Sequence, residues 1–447
     1  MENIKNKYIS FFSSLYYPIF VAALVFIGHT FCVELISIVA VGCTASLGII
    51  LCKDLKFVLS PALTIFFCLS EKNSFGGNGP FYSTGSLVTV AIVSVLFVAS
   101  LVTHFIIYKK ELNFKSIAKS PLFFGLIALS VSFLLNGLFD TESYSLINWG
   151  FTILLIASYI LSFYLFYTGI SFDECFRRYL VYVLFICSCL VTLEFFSLFL
   201  TGQIKFLNGE IVKESIVTGW GIWNTMGCYL SMLLPIHFYL ASYVKKYGFI
   251  FYGTGLISYL AIVLSLSRSS LLAGTFVLGL SVLLCCIWGK NRKINIYITG
   301  ALAIIAIVGV IGLWDKISNI LGDYLSRGLD DNGRFEIYEY GLKKFLKHPI
   351  FGGSFYNSIY VMETGLPFCY HNTIIQMMAS CGTVGLIAYL FHRFQTIKLI
   401  IKKRSDKNMY LALCICALLI TSLLDVHMFS LYPALYYTLL LIAIEKS

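Results

Sequence analysis

Apolar runs of about 18 or more residues follow one another along the chain, from Phe11 almost to the C-terminal end. Wound as a helix, a run of that length matches the hydrocarbon thickness of a bilayer. Only helices or closed barrels satisfy their backbone polar groups in lipid. The spacing predicts spans over 11–31, 34–51, 56–70, 86–108, 121–139, 146–169, 179–201, 220–243, 248–266, 270–288, 294–313, 372–391, 409–425 and 428–444. The expected fold is therefore an all-α polytopic integral membrane protein with about fourteen transmembrane helices. Composition agrees, with 59% hydrophobic and 12% charged residues against about 25% charged in a soluble domain. A soluble enzyme so poor in charge could not cover its surface. The first run ends in Gly28-His29-Thr30 without a small-residue cleavage site, and another run follows at once. It reads as a retained helix rather than a signal peptide.

The net charge of +10 would suggest nucleic acid in a soluble protein. Here most of the Lys and Arg fall in alternate loops: Lys5/Lys7, Lys53/Lys56, Lys109 to Lys119, Arg177/Arg178, Lys245/Lys246, Lys290 to Lys293, and a cluster from Arg393 to Lys407. The intervening segments carry Lys72, Lys205, Lys213 and Arg268. The positive-inside rule puts the first set, and both termini, in the cytoplasm. The implied partner is the lipid bilayer, with no nucleic acid. The fourteen cysteines lie nearly all inside apolar runs and include no Cys-x-x-Cys, so neither a disulfide framework nor a metal site is expected. Cys369 alone sits clearly in an exposed loop.

Residues 1–447 read as a single membrane domain, with two long outer segments. One runs from about Thr201 to Gly219. The other, over 314–371, is a large extracytoplasmic loop, and connections of that length are usually functional. In the loop, Asp330-Asp331-Asn332-Gly333-Arg334 is a turn signal. Phe335, Tyr338, Leu342, Phe345 and Leu346 recur at helical spacing, which predicts an interfacial helix up to Lys347. His348-Pro349 stops it, and Gly352-Gly353 permits a turn.

Several polar residues stand at the outer ends of spans. Ser267-Arg268-Ser269-Ser270 offers a cation and hydroxyls, either snorkelling to headgroups or facing an anion in a cavity. Arg334 at a helix start can meet an anion together with free backbone N–H groups, or pair with Asp330, Asp331 or Glu336. His371 and Asn372 stand at the mouth of the twelfth predicted span, where a histidine can act as general base. His348, before a proline, reads as a helix-end residue. Asp425 and His427 occupy the turn between the last two spans. Glu34, Asp140 and Glu194 are weaker candidates. There is no Gly-rich phosphate loop, His-x-x-His or Asp-x-Asp pair, so no cofactor and no metal is expected.

These motifs have an order: Ser-Arg-Ser before a span, a long loop with Gly-Arg and Lys347-His348-Pro349-Ile350-Phe351-Gly352-Gly353, then His371-Asn372 and Gly382-Thr383-Val384-Gly385-Leu386-Ile387. In that order they resemble the O-antigen ligase and repeat-unit polymerase (Wzy-type) superfamily of bacterial surface polysaccharide assembly, over about 265–391. Gly352-Gly353 departs from the Gly-x-Gly usual there. The resemblance implies a GT-C-like membrane glycosyltransferase of the bacterial cytoplasmic (inner) membrane, with short helices in its outer loop. It implies an undecaprenyl-pyrophosphate-linked oligosaccharide as donor, no metal, and a chain-length regulator protein as a further partner. By resemblance, Arg268 and Arg334 would bind the pyrophosphate, with Ser267, Asn372 and Asp425 in the substrate site, and His371 would take the acceptor's proton. The expected activity is that of a polymerase, such as an O-antigen or capsule polymerase. The alternative is a ligase passing the chain to lipid A core.

A lipid-linked oligosaccharide flippase is the competing class. It would carry charges along its spans and short loops throughout, whereas polar residues here gather at the outer ends. The topology is open to direct test. A reporter active only outside the cytoplasm should give signal when fused near Asn357 and none at Lys403. The reverse pattern would overturn the orientation.

Overall fold

The computed structural model describes residues 2–65, 84–109, 112, 114–140, 146–207, 210–312, 314, 318, 333–355 and 369–447. The described chain is mostly helical. Its helices are α1 (Glu2–Ser13), α2 (Tyr16–Thr30), α3 (Glu34–Leu51), α4 (Leu59–Thr64), α5 (Thr84–Ile107), α6 (Phe123–Leu134), α7 (Leu146–Ile156), α8 (Ser162–Gly169), α9 (Glu174–Leu200) and α10 (Trp223–Tyr243). They continue as α11 (Gly248–Leu264), α12 (Arg268–Ile287), α13 (Arg292–Gly312), α14 (Arg334–Lys347), α15 (Thr373–Lys402), α16 (Asp406–Leu423) and α17 (Leu431–Glu445). Seven helices are long and apolar enough to cross a membrane, or eight if α1 and α2, bent by 72°, form one broken span. Four more apolar helices are shorter: Leu55–Thr64, Phe123–Leu134, Gly248–Leu264 and Leu431–Glu445.

The differences from the predicted spans have local causes. Ser14 Oγ bonds the Phe11 carbonyl and accepts from Tyr16 N, which turns the chain between α1 and α2 inside the expected first span. Predicted spans 121–139 and 428–444 come out as short helices, the first ending in turns that include Gly137 at φ 65°. Predicted span 56–70 runs past the described residues after Ile65. The twelfth span was expected to end at 391, but α15 continues to Lys402. Arg393 is therefore not a loop cation. It is buried on α15, with its guanidinium 4.7 Å and 4.6 Å from the Tyr389 and Tyr437 ring centres. Nor is the fold purely helical: the 201–222 segment forms two small hairpins, pairing Phe206 with Ile211 and Val217 with Ile222. Glu194 ties this segment down by accepting the Gly219 N–H while bonding His29 Nε2 at 2.6 Å.

At the centre stands α10, buried along nearly its whole length and packed on α9, α11, α12 and α16. Lipid supplies no hydrophobic drive between helices, so close approach of small residues and interhelical hydrogen bonds must do the work. Gly227 faces Ser270 so closely that a Cβ would lie 2.4 Å from its Oγ, and Ser231 Oγ donates to the Ser270 carbonyl at 2.9 Å. His237 is satisfied by Ser188 and Thr254 and so belongs to the packing. On the outside of the bundle, α5 and α13 leave Val95, Ile106, Ile304 and Ile305 exposed.

The feature that builds the functional end is a break in α15. Gly382 sits at φ 65°, ψ −159°, a region essentially confined to glycine. Into the break docks the turn from His348 to Gly353. The Pro349 carbonyl accepts Thr383 N at 2.8 Å, Ile350 O accepts Val384 N at 3.2 Å, and Gly353 N donates to Ala379 O at 2.7 Å. The predicted loop therefore does not lie wholly on the surface. Part of it is inserted against a span, where its backbone replaces the helix hydrogen bonds that the break removes. The buried Lys344–Asp140 ion pair fixes the base of α14 on the chain after α6.

A Cβ on Gly382 would lie 2.3 Å from the Ile350 carbonyl oxygen, whereas one on Gly300 of α13 meets nothing within 4 Å. Gly382→Ala is expected to cost about 3 kcal/mol, seen as a lower thermal midpoint of the solubilised protein, and Gly300→Ala to leave the midpoint unchanged or raised.

Candidate functional site

Three helix N-termini gather the residues singled out by the sequence: Arg268 begins α12, Arg334 begins α14, and His371-Asn372 precede α15. Free N–H groups and the helix dipole make such ends favourable for anions. Asn372 is the N-cap of α15. Its Oδ1 accepts from Ile374 N at 2.9 Å and Ile375 N at 3.1 Å, and its Nδ2 donates to the Leu423 carbonyl at the end of α16. One side chain thus caps a helix and joins two, and its amide is engaged in holding the scaffold. That holds the α16–α17 turn, and Asp425 within it, against the start of α15.

His371 has a left-handed backbone, φ 45°, unusual for a residue with a Cβ. Its Nδ1 lies 3.1 Å from Asp425 Oδ1, and the same oxygen accepts the Val426 N–H at 2.8 Å. Asp425 is buried, so it faces the His371 ring rather than open solvent. Burial works against a charge on His371, but the Asp425 hydrogen bond and the neighbouring Cys369 outweigh it and push the pKa up to about 10. Burial also opposes the Asp425 carboxylate, yet His427, His371 and the Val426 N–H hold it well below the usual range. At neutral pH the pair is an imidazolium on a carboxylate. Nδ1 is thus the ring nitrogen that faces Asp425 and Cys369.

Tyr338 on α14 donates to the His371 carbonyl at 3.4 Å. Burial raises its phenol, and the Arg334 cation beside it opposes the rise, with Asp425 and Asn372 also within reach. Arg334, Tyr338, Asn372, His371 and Asp425 therefore share one neighbourhood. Ile337, Tyr370, Ile375 and Ala379 form the small apolar cluster that seats α14 there. Of the alternative partners for Arg334, Asp330 and Asp331 lie outside the described residues, and Glu336 stands in the first turn of the same helix.

Arg268 stands half-buried at the same end of the bundle. Ser267 is buried, and its hydroxyl bonds Ser270 at 2.8 Å, so it belongs to the serine cluster that closes α12 onto α10. Through α10 this corner reaches Asp425: Cys228, next to Gly227, bonds Thr421 of α16 and feels the Asp425 charge. His348 lies 3.8 Å from Asp140 in the loop anchor, away from His371 in role.

The sequence reading missed Tyr338, Lys344 and Cys369. The first two carried only an apolar-face and a charge signal. Cys369 Sγ lies 4.0 Å from His371 Nδ1, and with Asp425 these donors fall within 4.8 Å of one another, a set able to take a metal ion. Asp425→Asn should remove the charge that holds the imidazolium and bring the His371 pKa down toward 6.5, its ordinary value. Site-resolved acylation by diethylpyrocarbonate, which attacks the neutral ring, would then set in at lower pH than in the wild type. An unchanged midpoint would contradict the pairing.

No curated protein matches this chain. Residues 253–390, from α11 to within α15, match the family model described as O-Antigen ligase. That stretch takes in Arg268, Arg334 and His371, but not Asp425. Over this stretch the chain is similar to the O-antigen ligase family, and the match is consistent with the O-antigen ligase and polymerase superfamily, whose members are glycosyltransferase-like enzymes acting on lipid-linked sugars.

Proposed function

We propose that this protein joins undecaprenyl-pyrophosphate-linked oligosaccharide repeat units on the outer face of the bacterial cytoplasmic membrane. The observation that carries the reading is the His371–Asp425 pair beside Arg334, with Arg334 and His371 at helix N-termini inside the matched region. The acceptor hydroxyl oxygen attacks the donor's anomeric carbon, and the bond to the pyrophosphate breaks. The pyrophosphate leaves with the electron pair and needs no proton. Arg268 and Arg334 stabilise its charge as forked donors in a water-poor site. His371 Nε2 takes the hydroxyl proton, and Asp425 stabilises the imidazolium that forms. In this reading Ser267 and Asn372 position the arginine and the histidine from behind.

A second reading is ligation of a finished chain to lipid A core, favoured by the description of the matched family. The folded segment at 201–222, pinned by Glu194, is additional structure outside the matched region and supports the polymerase reading. The same proposal keeps one membrane domain with about fourteen crossings, its 314–371 loop and outer segment outside, both termini cytoplasmic, and a chain-length regulator as partner.

Product gels from cells test it. His371→Ala should lower transfer by about 10²–10⁴-fold and leave single repeat units in place of long chains, with normal insertion. Arg268→Lys and Arg334→Lys keep charge but lose the fork, and should lose most activity. A ligase would instead leave chain length unchanged and stop attachment. Normal polymer from His371→Ala would show that the proton acceptor is elsewhere.

The raised pKa of His371 leaves only on the order of 10⁻³ of it unprotonated at pH 7. As a base it should give a rate that climbs with pH toward about 10, and Asp425→Asn should move that limb to lower pH. A rate that instead falls over the same range would assign His371 as a fixed cation for the pyrophosphate.

A further inference from the structure

We propose that Cys369, His371 and Asp425 form a binding site for a thiophilic divalent metal ion of the Zn²⁺ class, and that its occupancy reversibly inhibits transfer. The binding stands on geometry alone; the inhibition rests on the reading of His371 as proton acceptor.

Cys369 Sγ is 4.0 Å from His371 Nδ1, His371 Nδ1 is 3.1 Å from Asp425 Oδ1, and the three donors lie within 4.8 Å of one another. Tetrahedral zinc, with bonds of about 2.0–2.3 Å, holds its ligand atoms roughly 3.3–3.8 Å apart, so sub-ångström to one-ångström shifts close the set. The scaffold is fixed on both sides. Tyr370, between the cysteine and the histidine, is buried, and its N–H donates to Gln376 Oε1 at 3.0 Å. The left-handed turn at His371 swings its ring toward Cys369 and Asp425. His427 supplies an outer partner: its Nε2 is buried, makes no hydrogen bond among the described residues, and lies 3.8 Å from Asp425 Oδ2. Partners of this kind orient a ligating carboxylate. Thiolate, imidazole and carboxylate suit Zn²⁺ or Cd²⁺ rather than Mg²⁺. Three protein ligands leave the fourth position for water. Cys369 and His371 are half-exposed, so the ion has a way in.

Inhibition follows from the two nitrogens of one ring. A neutral imidazole has a single lone pair. Once Nδ1 gives it to the metal, Nε2 must carry the hydrogen and can no longer accept the acceptor's proton. Binding expels the thiol proton and the proton between His371 and Asp425, with no change of oxidation state. Cys369 completes the metal set but is not the proton acceptor, so inhibition in its variant, read against that variant's metal-free rate, separates metal binding from proton transfer.

The test uses purified full-length protein kept reduced. Titration with Cd²⁺ should give a saturable thiolate-to-metal charge-transfer absorbance of about one ion per chain, displaced by Zn²⁺, absent in Cys369→Ala and at least tenfold weaker in His371→Ala. Zn²⁺ should suppress wild-type transfer, and a chelator should restore it. Cys369→Ala, read against its own metal-free rate, should become at least tenfold less sensitive to Zn²⁺. Equal absorbance in wild type and Cys369→Ala, or none in the wild type, overturns the site. Equal Zn²⁺ inhibition of Cys369→Ala overturns the inhibitory role. A Cys369-dependent band in a protein without transferase activity upholds the site and overturns the functional reading instead.

Discussion

The functional end hangs on a backbone interlock. A span broken in mid-helix leaves N–H and C=O groups that lipid cannot satisfy, each at a cost of several kcal/mol. The His348–Gly353 turn supplies the missing partners, bonding Ala379, Thr383 and Val384 across the break at Gly382. Two glycines make this possible. A Cβ at Gly352 would lie 2.2 Å from the Ser380 backbone, and one at Gly382 would strike Ile350. Once the turn is seated, α14 is held at its C-terminal end by the turn and by Lys344 on Asp140. Its N-terminal end, with Arg334 and Tyr338, is thereby carried to His371.

The candidate site holds its charged groups at helix ends and turns. Each of Arg268, Arg334 and His371 stands at the start of a helix, where unsatisfied N–H groups already favour an anion. Asp425 beside them is buried and committed to the His371 ring. It therefore balances the histidine without cancelling the arginines. A strained backbone at His371 points the ring, and Asn372 locks the two helices that carry the pair. Orientation is thus fixed by caps and turns at the helix ends.

Much of this was legible in the sequence, and the limits were physical. Apolar runs gave the helices and their sequence order, and Arg334 and His371, both singled out from the sequence, come together at Tyr338. The break at Gly382 was invisible, because a glycine within a helical pattern is ordinarily tolerated. The His371–Asp425 pairing spans 54 residues and Lys344–Asp140 spans 204, distances at which only tertiary packing decides partners. Arg393 looked like a loop cation because charge usually ends a span, yet tyrosine faces hold it inside. Ser267 and Asn372 looked like ligand donors because hydroxyl and amide groups serve equally as caps and packing partners.

The central claim is that one protein, acting through this outer site, makes glycosidic bonds from a lipid pyrophosphate donor. Purified protein given a single lipid-pyrophosphate-linked repeat unit as its only sugar substrate measures that directly, with products resolved by gel. The account predicts a ladder of lengthening lipid-linked chains and release of the lipid pyrophosphate, without any nucleotide sugar. Unchanged substrate alongside native, folded protein, or chains formed only when a nucleotide sugar is supplied, would contradict it.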